Sequence, residues 1–322
     1  MSQTNWNSVI KQFQNLTVLI VGDAMIDAYM WGSIQRKSPE AAVPVVDIER
    51  HENRLGGAAN VAKNIKSLGA TPLLCAVIGT DDKGFFSLMK KQGLNTEGLL
   101  QEDRKTTVKT RIISEQQHQL RVDEEDTHPI SNEKAFIENT AQLMIQADVV
   151  IFQDYNKGVL TESVISALIS AAKEQGIPTV ADPKKDNYWK FIGVDLFKPN
   201  LKELNEGANS QLDGSDLSLL SAAVSQQREQ LEAKQLLLTL SEKGVFLQGE
   251  QDFYYPTFDR NIIDVSGAGD SVIATAALAL TCGLSPQALA QLANLAGGLV
   301  CEEVGVVPIH KEKLLAEANR LI

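Results

Sequence analysis

Cysteine is scarce in this sequence and forms no paired motif. The chain contains three cysteines, Cys75, Cys282 and Cys301, and no CxxC. An odd number of widely spaced cysteines is typical of reduced thiols in a core rather than of a disulfide framework. Long apolar runs are scarce too, since the run that begins at Leu16 has only the length of a strand. We therefore expect neither a signal peptide nor a membrane span, and a cytoplasmic location.

Several motifs that mark common enzyme classes are absent. No GxxxxGK[ST] sequence occurs, which excludes a P-loop, and GAGDSV lacks the third glycine of a dinucleotide fingerprint. The four histidines form no HExxH pair or other ligand-spaced cluster, which disfavours a zinc site. A GxSxG nucleophile elbow is also absent. The chemistry must come from another arrangement of residues.

Positive charge is in deficit. Lysine and arginine number 30 against 41 aspartates and glutamates, which gives a net charge of −11. Nucleic acid and anionic membranes are disfavoured as partners, because neither is attracted to an acidic protein. An anionic small molecule remains compatible with this charge, since it requires only a local basic pocket.

Apolar, β-prone segments alternate with helical patterns along the chain. Residues 58–68 have helical spacing and are followed by Gly69, while Ser285 and Pro286 suit the N-cap and first residue of another helix. Strands separated by helices favour an α/β fold with a mostly parallel sheet covered on both faces. The predicted strands are 17–23, 72–79, 148–154, 177–183, 195–200 and 235–240.

Two polar segments, 32–50 and 105–125, break this alternation. Their alternating β-prone pattern predicts antiparallel ribbons that stand off the main sheet as a small β lid. Two ribbons have no core of their own, so their apolar residues favour a homodimer in which lids pair across a two-fold axis. These residues are Val43, Val45, Ile48, Val108 and Ile112 or Ile113.

The segment Asn261–Val272, NIIDVSGAGDSV, places two glycines before an aspartate and a helix-forming run. Gly267 and Gly269 permit a tight turn, and the following helix directs its free N–H groups and positive dipole end at that turn. Such a site suits phosphate. Asp270 would then have a chemical task beside an anion. Alternatively, it is an ordinary acidic residue of a first helical turn.

Two further segments carry candidate sugar contacts. The sequence LGGAAN places Gly56 and Gly57 before a helix with Asn60 in its first turn. A ligand can approach such a backbone closely, and an amide can donate to and accept from a hydroxyl. A plain strand-to-helix corner would have the same pattern. Asp27 follows the first strand, at the end where open α/β sheets bind ligands.

Two other segments carry candidate nucleotide contacts. Asn200 and Glu203 form an NxxE pattern that could hold a hydrated Mg²⁺ near phosphates, although this spacing is common by chance. Thr239, Ser241 and Gly244 lie in a polar glycine turn after another predicted strand. That turn suits nucleotide contact or no function at all.

In this order the motifs resemble the ribokinase-like, or PfkB-type, carbohydrate kinases over about residues 17–308. The most specific element is DVSGAGD (264–270), which is similar to the family's DTxGAGD. The resemblance implies a three-layer α/β/α fold with a small β lid, a single domain over residues 1–322, and ATP and Mg²⁺ as cofactors. The resemblance implies that Asp270 is the catalytic base and that Gly267, Ala268 and Gly269 form the anion hole. The implied sugar contacts are Asp27, Gly56, Gly57 and Asn60. The implied nucleotide contacts are Asn200, Glu203, Thr239, Ser241, Gly244 and Asn294, of which Glu203 and Asn200 would also contact the metal through water.

Four segments narrow the resemblance to the D-glycero-D-manno-heptose-7-phosphate kinases. The implied reaction transfers the ATP γ-phosphate to the sugar C1 hydroxyl, in the synthesis of ADP-heptose for the lipopolysaccharide core. Ala42 stands where these kinases usually have proline, and Val265–Ser266 replace a Thr-Thr pair; neither departure touches a proposed catalytic atom. The segments are RKSPEAAVPVVDI (36–48), RLGGAANVAKNIKSLGA (54–70), DYNKG (154–158) and ADPKK (181–185).

A sugar that already carries a phosphate needs cations in its pocket. The resemblance implies that basic residues of the two lid ribbons and of a strand end converge near the sugar, although lid charges can also serve as solvated protection of edge strands. The predicted phosphosugar contacts are Arg36, Lys109, Arg111 and Lys184.

Two alternatives to this function stay open. One is another kinase of the same fold that acts on ribose, a fructose phosphate or a nucleoside, and the other is a non-catalytic sugar- or nucleotide-binding regulator. In many relatives a nucleotidylyltransferase domain follows the kinase. No HxGH occurs in these residues, so a separate protein is expected to supply that step.

Overall fold

Strands occupy both halves of the chain and belong to two sheets. The computed structural model describes residues 4–115 and 117–322. The strands are β1 (Thr17–Gly22), β2 (Ala24–Lys37), β3 (Pro44–Gly57), β4 (Thr71–Gly79), β5 (Leu99–Glu102), β6 (Val108–Ser114), β7 (Gln117–Glu124), β8 (Val149–Gln153), β9 (Thr179–Asp182), β10 (Leu196–Phe197), β11 (Gln235–Thr239), β12 (Val245–Gln248) and β13 (Asp252–Tyr255).

The larger sheet has nine strands in the order β13-β12-β11-β10-β9-β8-β1-β4-β5. Every neighbouring pair from β11 to β5 is parallel, whereas β12 pairs antiparallel with both β11 and β13. Parallel neighbours need crossover connections, and helices supply them here. The predicted mostly parallel sheet is therefore confirmed. The predicted strand 195–200 is shorter than expected, because β10 ends at Phe197.

Helices cover both faces of this sheet. Ser285 caps α9 by accepting a hydrogen bond from the Ala288 N–H over 3.3 Å, with Pro286 as the first helical residue, as predicted. The helices are α1 (Trp6–Gln12), α2 (Ala58–Ser67), α3 (Phe85–Lys91), α4 (Glu133–Met144), α5 (Glu162–Glu174), α6 (Leu201–Ala208), α7 (Leu217–Gln230), α8 (Ala268–Thr281), α9 (Pro286–Val300) and α10 (Lys311–Leu321).

The core consists of two apolar clusters, one on each face of the larger sheet. In β1, Val18 and Ile20 belong to the cluster that includes α2, α8 and α9, whereas Leu19 and Val21 belong to the cluster that includes α4, α5 and α7. Successive side chains of a strand point to opposite faces, so a strand buried on both sides is apolar throughout. The result is three layers, helices on sheet on helices. Across the described residues, no helix has the length and apolar character that spanning a bilayer requires.

The smaller sheet has four strands in the order β3-β2-β6-β7. Within it, β2 with β3 and β6 with β7 pair antiparallel, while β2 and β6 pair parallel. The first predicted ribbon, 32–50, is too short, because β2 begins at Ala24 and β3 ends at Gly57. The start of β2 is buried and has apolar residues at consecutive positions. It therefore lacks the apolar–polar alternation from which the exposed part of the ribbon was predicted.

The carboxyl ends of the central strands meet at one edge and bring polar residues together there. Asp23 follows β1, Gln153 ends β8, Asp182 ends β9, Lys198 follows β10 and Thr239 ends β11. All five are separated in sequence by whole crossover units. The parallel topology therefore assembles a polar site at this edge, where α/β sheets bind ligands.

Candidate active site

The turn before α8 is shaped by glycine. Gly267 has a φ of +82° and directly precedes the first residue of α8, and no side chain caps that helix. The first N–H groups of such a helix have no intrahelical partners and carry the positive end of the helix dipole. Gly267, Ala268 and Gly269 line a cavity of about 750 Å³, a size typical of small-molecule sites. The predicted anion turn therefore faces an open volume.

Asp270 lies in the first turn of α8 and is only 5% exposed. Its Oδ2 accepts a hydrogen bond from Asn60 Nδ2 over 2.7 Å. Its Oδ1 accepts from the Tyr155 hydroxyl over 2.9 Å and from Gln153 Nε2 over 3.3 Å. Burial raises the pKa of Asp270 to about 6, and the hydrogen bonds from Asn60 and Tyr155 oppose that rise. The carboxylate is thus mainly ionised at neutral pH, close to the pH at which a general base works best.

A buried ion pair lies beside Asp270. Lys198 Nζ is 3.0 Å from Asp182 Oδ2, and both side chains are almost fully enclosed. Gln153 Nε2 also reaches Asp182, over 3.3 Å, and so bridges the two carboxylates. Lys198 Nζ is 3.8 Å from the position that a Cβ on Gly269 would take, which places a positive charge against the anion turn. Sequence reasoning missed Tyr155, Gln153, Asp182 and Lys198, although Tyr155 and Asp182 lie in the segments DYNKG and ADPKK, and Gln153 and Lys198 lie in predicted strands.

The NxxE pattern forms a complete capping box at the start of α6. Asn200 Oδ1 accepts from the Glu203 N–H over 2.9 Å, and Glu203 Oε2 accepts from the Asn200 N–H over 2.8 Å. The other carboxylate oxygen of Glu203 pairs with the Lys184 ammonium. Burial alone would lower the pKa of Lys184, but the Asp182 and Glu203 carboxylates raise it above its ordinary value. Lys184 was predicted as a sugar contact. In the structure it pairs instead with Glu203, the glutamate predicted to contact the metal through water.

These contacts restrict how Mg²⁺ fits. Both oxygens of Glu203 already have partners, and residues 4–115 and 117–322 contain no cluster of three or more His, Cys, Asp or Glu that could hold a metal. Magnesium usually keeps several waters and binds through one or two carboxylates plus substrate phosphates. The donor set fits that water-mediated mode and does not fit a cage built by protein alone.

The predicted nucleotide contacts other than Glu203 line the cavity, and we call them its nucleotide wall. Asn200, Thr239, Ser241, Gly244 and Asn294 all line it, and Asn294 Nδ2 donates to the Pro256 carbonyl over 2.8 Å. At Gly244 the φ is +99°, and a Cβ there would collide with the Tyr255 carbonyl. Glycine is therefore required at this position by backbone geometry.

The predicted sugar residues lie where the start of β2 pairs with the end of β3 and where α2 begins. They are Asp27, Gly56, Gly57 and Asn60. A Cβ on Gly56 would collide with Asp27 Oδ2, and Gly57 has a φ of +58° with the Asp23 carbonyl against it. The glycines thus allow the strand-to-helix corner to close. That corner directs Asn60 at Asp270, and the sugar contact of this segment stays a prediction.

One of the four predicted cations, Arg36, lies apart from the other three in this structure. Arg111 pairs with Asp27 near the site, whereas Lys109 lies 3.3 Å from both Asp123 and Glu125. Arg36 is exposed at the far end of β2. A strand rises about 3.3 Å per residue, which places Arg36 on the order of 30 Å from Asp27. The length of the ribbon, which sequence spacing did not convey, separates Arg36 from the site.

Contacts link the smaller sheet to the anion turn. Arg54 of β3 donates to the Val304 carbonyl over 3.1 Å and to the Val306 carbonyl over 3.3 Å. The Gly305 N–H between them donates to Asp264 Oδ2 over 2.8 Å, and Asp264 Oδ1 accepts from the Ser266 N–H over 2.9 Å. The base of the smaller sheet is thereby tied to the residue directly before Gly267.

Comparisons with known proteins place this chain among the phosphotransferases that act on sugar hydroxyls. The pfkB family of carbohydrate kinases matches residues 15–312, and the chain belongs to that family. Kinases of this family use ATP. The predicted enzyme class is thereby confirmed.

The curated relatives that this chain matches are longer than it. It is 36% identical to "Bifunctional protein HldE" of Citrifermentans bemidjiense, over 99% of this chain and 66% of the relative. It is 39% identical to the protein of the same description from Caulobacter vibrioides, over 96% of this chain and 65% of the relative. The chain thus spans a little under two thirds of the length of these relatives.

Solved structures share the fold at low identity. Phosphofructokinase-2 from Escherichia coli superposes with a TM-score of 0.77 at 18% identity, over 95% of this chain and 99% of that one. A ribokinase from Thermotoga maritima superposes with a TM-score of 0.68 at 18% identity, over 95% and 99%. The ribokinase-like α/β fold predicted from the sequence is confirmed.

Proposed function

We propose that this chain transfers the γ-phosphate of ATP to the C1 hydroxyl of D-glycero-D-manno-heptose 7-phosphate, giving the 1,7-bisphosphate. The observation that carries the transfer step is the position of Asp270, a buried carboxylate directly after an uncapped glycine turn that faces a cavity. The heptose motifs around residues 36–48 and 154–158 support the choice of sugar. The product would serve ADP-heptose synthesis for the lipopolysaccharide core.

In the proposed step the acceptor hydroxyl lies between Asp270 and the turn 267–269. Asp270 takes the hydroxyl proton while the oxygen bonds to the γ-phosphorus, and the bond from that phosphorus to the bridging oxygen of ADP breaks. The N–H groups of the turn and the Lys198 ammonium stabilise the negative charge that spreads over the transferring group. General-base assistance of this kind typically contributes about 10²–10⁴ in rate.

The nucleotide occupies the wall formed by Asn200, Thr239, Ser241, Gly244 and Asn294 in this proposal. Mg²⁺ would be held through water by Asn200 and Glu203, where it would neutralise phosphate charge. Glu203 is fixed by its capping box and by Lys184, so its carboxylate is held in one position beside Asn200.

A phosphosugar must find cations that already have carboxylate partners. Arg111 pairs with Asp27, and Lys109 with Asp123 and Glu125. A bound phosphate would have to take over part of these interactions when the smaller sheet closes over the sugar. This pairing favours a second candidate function, transfer to an uncharged acceptor such as ribose or a nucleoside, which needs no free cation.

The assembly that we propose is a homodimer through the smaller sheet, which serves as the lid of one domain over residues 1–322. Val43, Ile48, Leu120 and Val122 are between 38% and 56% exposed on that sheet. Val108 and Ile113, also predicted to need a partner, are already buried within the chain. Because the reaction consumes ATP, we place it in the cytoplasm.

A substrate panel tests the proposal. ADP release is measured with heptose 7-phosphate, heptose, ribose, fructose 6-phosphate and adenosine as acceptors. We expect heptose 7-phosphate to have the highest kcat/KM, because each charge-assisted contact to its phosphate contributes about 1.5–3 kcal/mol. Equal kcat/KM values for heptose and heptose 7-phosphate would contradict the phosphosugar pocket. A preference for ribose or adenosine would support the second candidate.

A further inference from the structure

We propose that Tyr155 is a positioning residue for Asp270 and that Asp23 fixes Tyr155 through the backbone of the segment after β8. This inference rests on the proposed function, because it gives Tyr155 a role in how Asp270 receives a proton. Tyr155 lines the cavity, and its hydroxyl donates to Asp270 Oδ1 over 2.9 Å. The hydroxyl therefore orients the carboxylate from the side of the cavity where the acceptor must bind.

Asp23 holds the backbone that carries Tyr155. Its Oδ2 accepts from the N–H groups of Tyr155 over 2.8 Å and Lys157 over 3.0 Å, and its Oδ1 accepts from the Val159 N–H over 3.2 Å. Asp23 is almost fully buried directly after β1. Three backbone donors on one buried carboxylate leave the segment 155–159 little freedom, so the Tyr155 hydroxyl is held where Asp270 can accept from it.

The ring of Tyr155 has a separate contact. Lys184 Nζ lies 5.4 Å from the ring centroid, and the same ammonium pairs with Glu203. A cation over an aromatic face is attracted by the ring itself. Tyr155→Phe therefore keeps the ring and its cation contact and removes only the hydroxyl, which makes it a selective test.

Several charged groups act on Asp270 together with Tyr155. Asp182 and Asp27 raise its pKa, and the ammonium groups of Lys63 and Lys184 also interact with its charge. Lys198 acts nearby through its pair with Asp182. None of these groups changes in Tyr155→Phe. The hydroxyl donates to the ionised carboxylate, so its loss favours the protonated form and raises the pKa of Asp270.

The kinetic test compares Tyr155→Phe with Tyr188→Phe. Tyr188 is a fully buried tyrosine whose hydroxyl pairs with Gln227 away from Asp270, whereas Tyr155 is half-buried. We expect the acidic limb of the kcat–pH profile to move up by about one pH unit in Tyr155→Phe, the shift that loss of one such hydrogen bond produces, with little change in the sugar KM. The limb should stay in place in Tyr188→Phe. An unmoved limb in Tyr155→Phe, or an equal shift in both variants, would overturn the proposal.

A second measurement separates this inference from the proposed function. In protein labelled with ¹³C at aspartate carboxyl carbons, Asp270→Asn identifies the Asp270 resonance, and its titration is followed without substrates. A higher Asp270 pKa in Tyr155→Phe supports the positioning role even if no sugar is phosphorylated. An unchanged pKa overturns it even if the kinase is active.

Asp23→Asn tests the second half of the proposal. The amide keeps one acceptor oxygen and turns its NH2 group toward at least one of the three backbone N–H groups, so the hold on Tyr155 should loosen and the Asp270 pKa should rise as in Tyr155→Phe. Because both substitutions act through one hydroxyl, the double variant should show no larger shift than Tyr155→Phe alone. Additive shifts would show that Asp23 acts by another route.

Discussion

Asn60 donates from Nδ2 to Oδ2 of Asp270 across 2.7 Å, which joins the first turn of α2 to the first turn of α8. Each of these helices opens at a glycine with positive φ, Gly57 and Gly267. The two glycine turns therefore have one shared result, since they bring a neutral amide donor to a buried carboxylate at the edge of the sheet. That contact keeps Asp270 ionisable in spite of its burial, because a hydrogen bond to the charged form favours it.

Replacing Asp270 by asparagine should remove the proposed base while keeping its size. We expect kcat to fall by about 10²–10⁴, with ATP affinity largely retained, because the turn 267–269 and the nucleotide wall are unchanged. Steady-state kinetics and ATP titration calorimetry measure the two quantities. Near-normal turnover would show that Asp270 is only an ordinary first-turn residue.

The pH dependence of folding stability should reveal the same carboxyl group. Burial raises the pKa of Asp270 from 3.8 to about 6, so between these values the folded state binds more protons than the unfolded state. Stability relative to Asp270→Asn should therefore fall as pH rises from about 4 to 6, by on the order of 3 kcal/mol, and stay constant above that range. Urea unfolding of both proteins at several pH values measures the difference. A difference that does not vary with pH would contradict the raised pKa.

Glu203→Gln should separate charge from structure at the start of α6. Glutamine can also complete a capping box, so the helix should form normally while the negative charge beside Lys184 is lost. We expect a higher Mg²⁺ concentration at half-maximal rate and little change in sugar KM. Glu206→Gln is the control, since Glu206 lies on the same helix and pairs with Lys202. An unchanged metal titration together with a raised sugar KM would reject the assignment of Asn200 and Glu203.

Light scattering should find a particle of twice the chain mass. Leu120→Asp with Val122→Asp places charges on the exposed apolar part of the smaller sheet and should give monomers. Leu217→Asp with Leu219→Asp is the matched control, because these residues are similarly exposed on α7, away from the lid. A wild-type monomer, or a dimer that survives the lid substitutions, would contradict assembly through the smaller sheet.

The parts of the site that sequence could predict are local. The turn at Gly267 and six of the nine strands of the larger sheet are encoded in short segments, and the parallel sheet follows from the alternation of strands with helices. Tyr155 and Lys198 escaped because their relevance depends on contacts to Asp270 and Gly269, which lie more than seventy residues away in the chain. Lys184 was assigned to the sugar because its partner, Glu203, could not be known from spacing alone.

Phosphate transfer to the sugar is tested most directly by ³¹P NMR of the reaction with heptose 7-phosphate and ATP. We expect a new resonance from the phosphate at the anomeric position, formed in step with ADP by the wild-type protein and slowed by about 10²–10⁴ in Asp270→Asn. ADP formed together with inorganic phosphate and no new sugar phosphate, or equal rates in the two proteins, would contradict it.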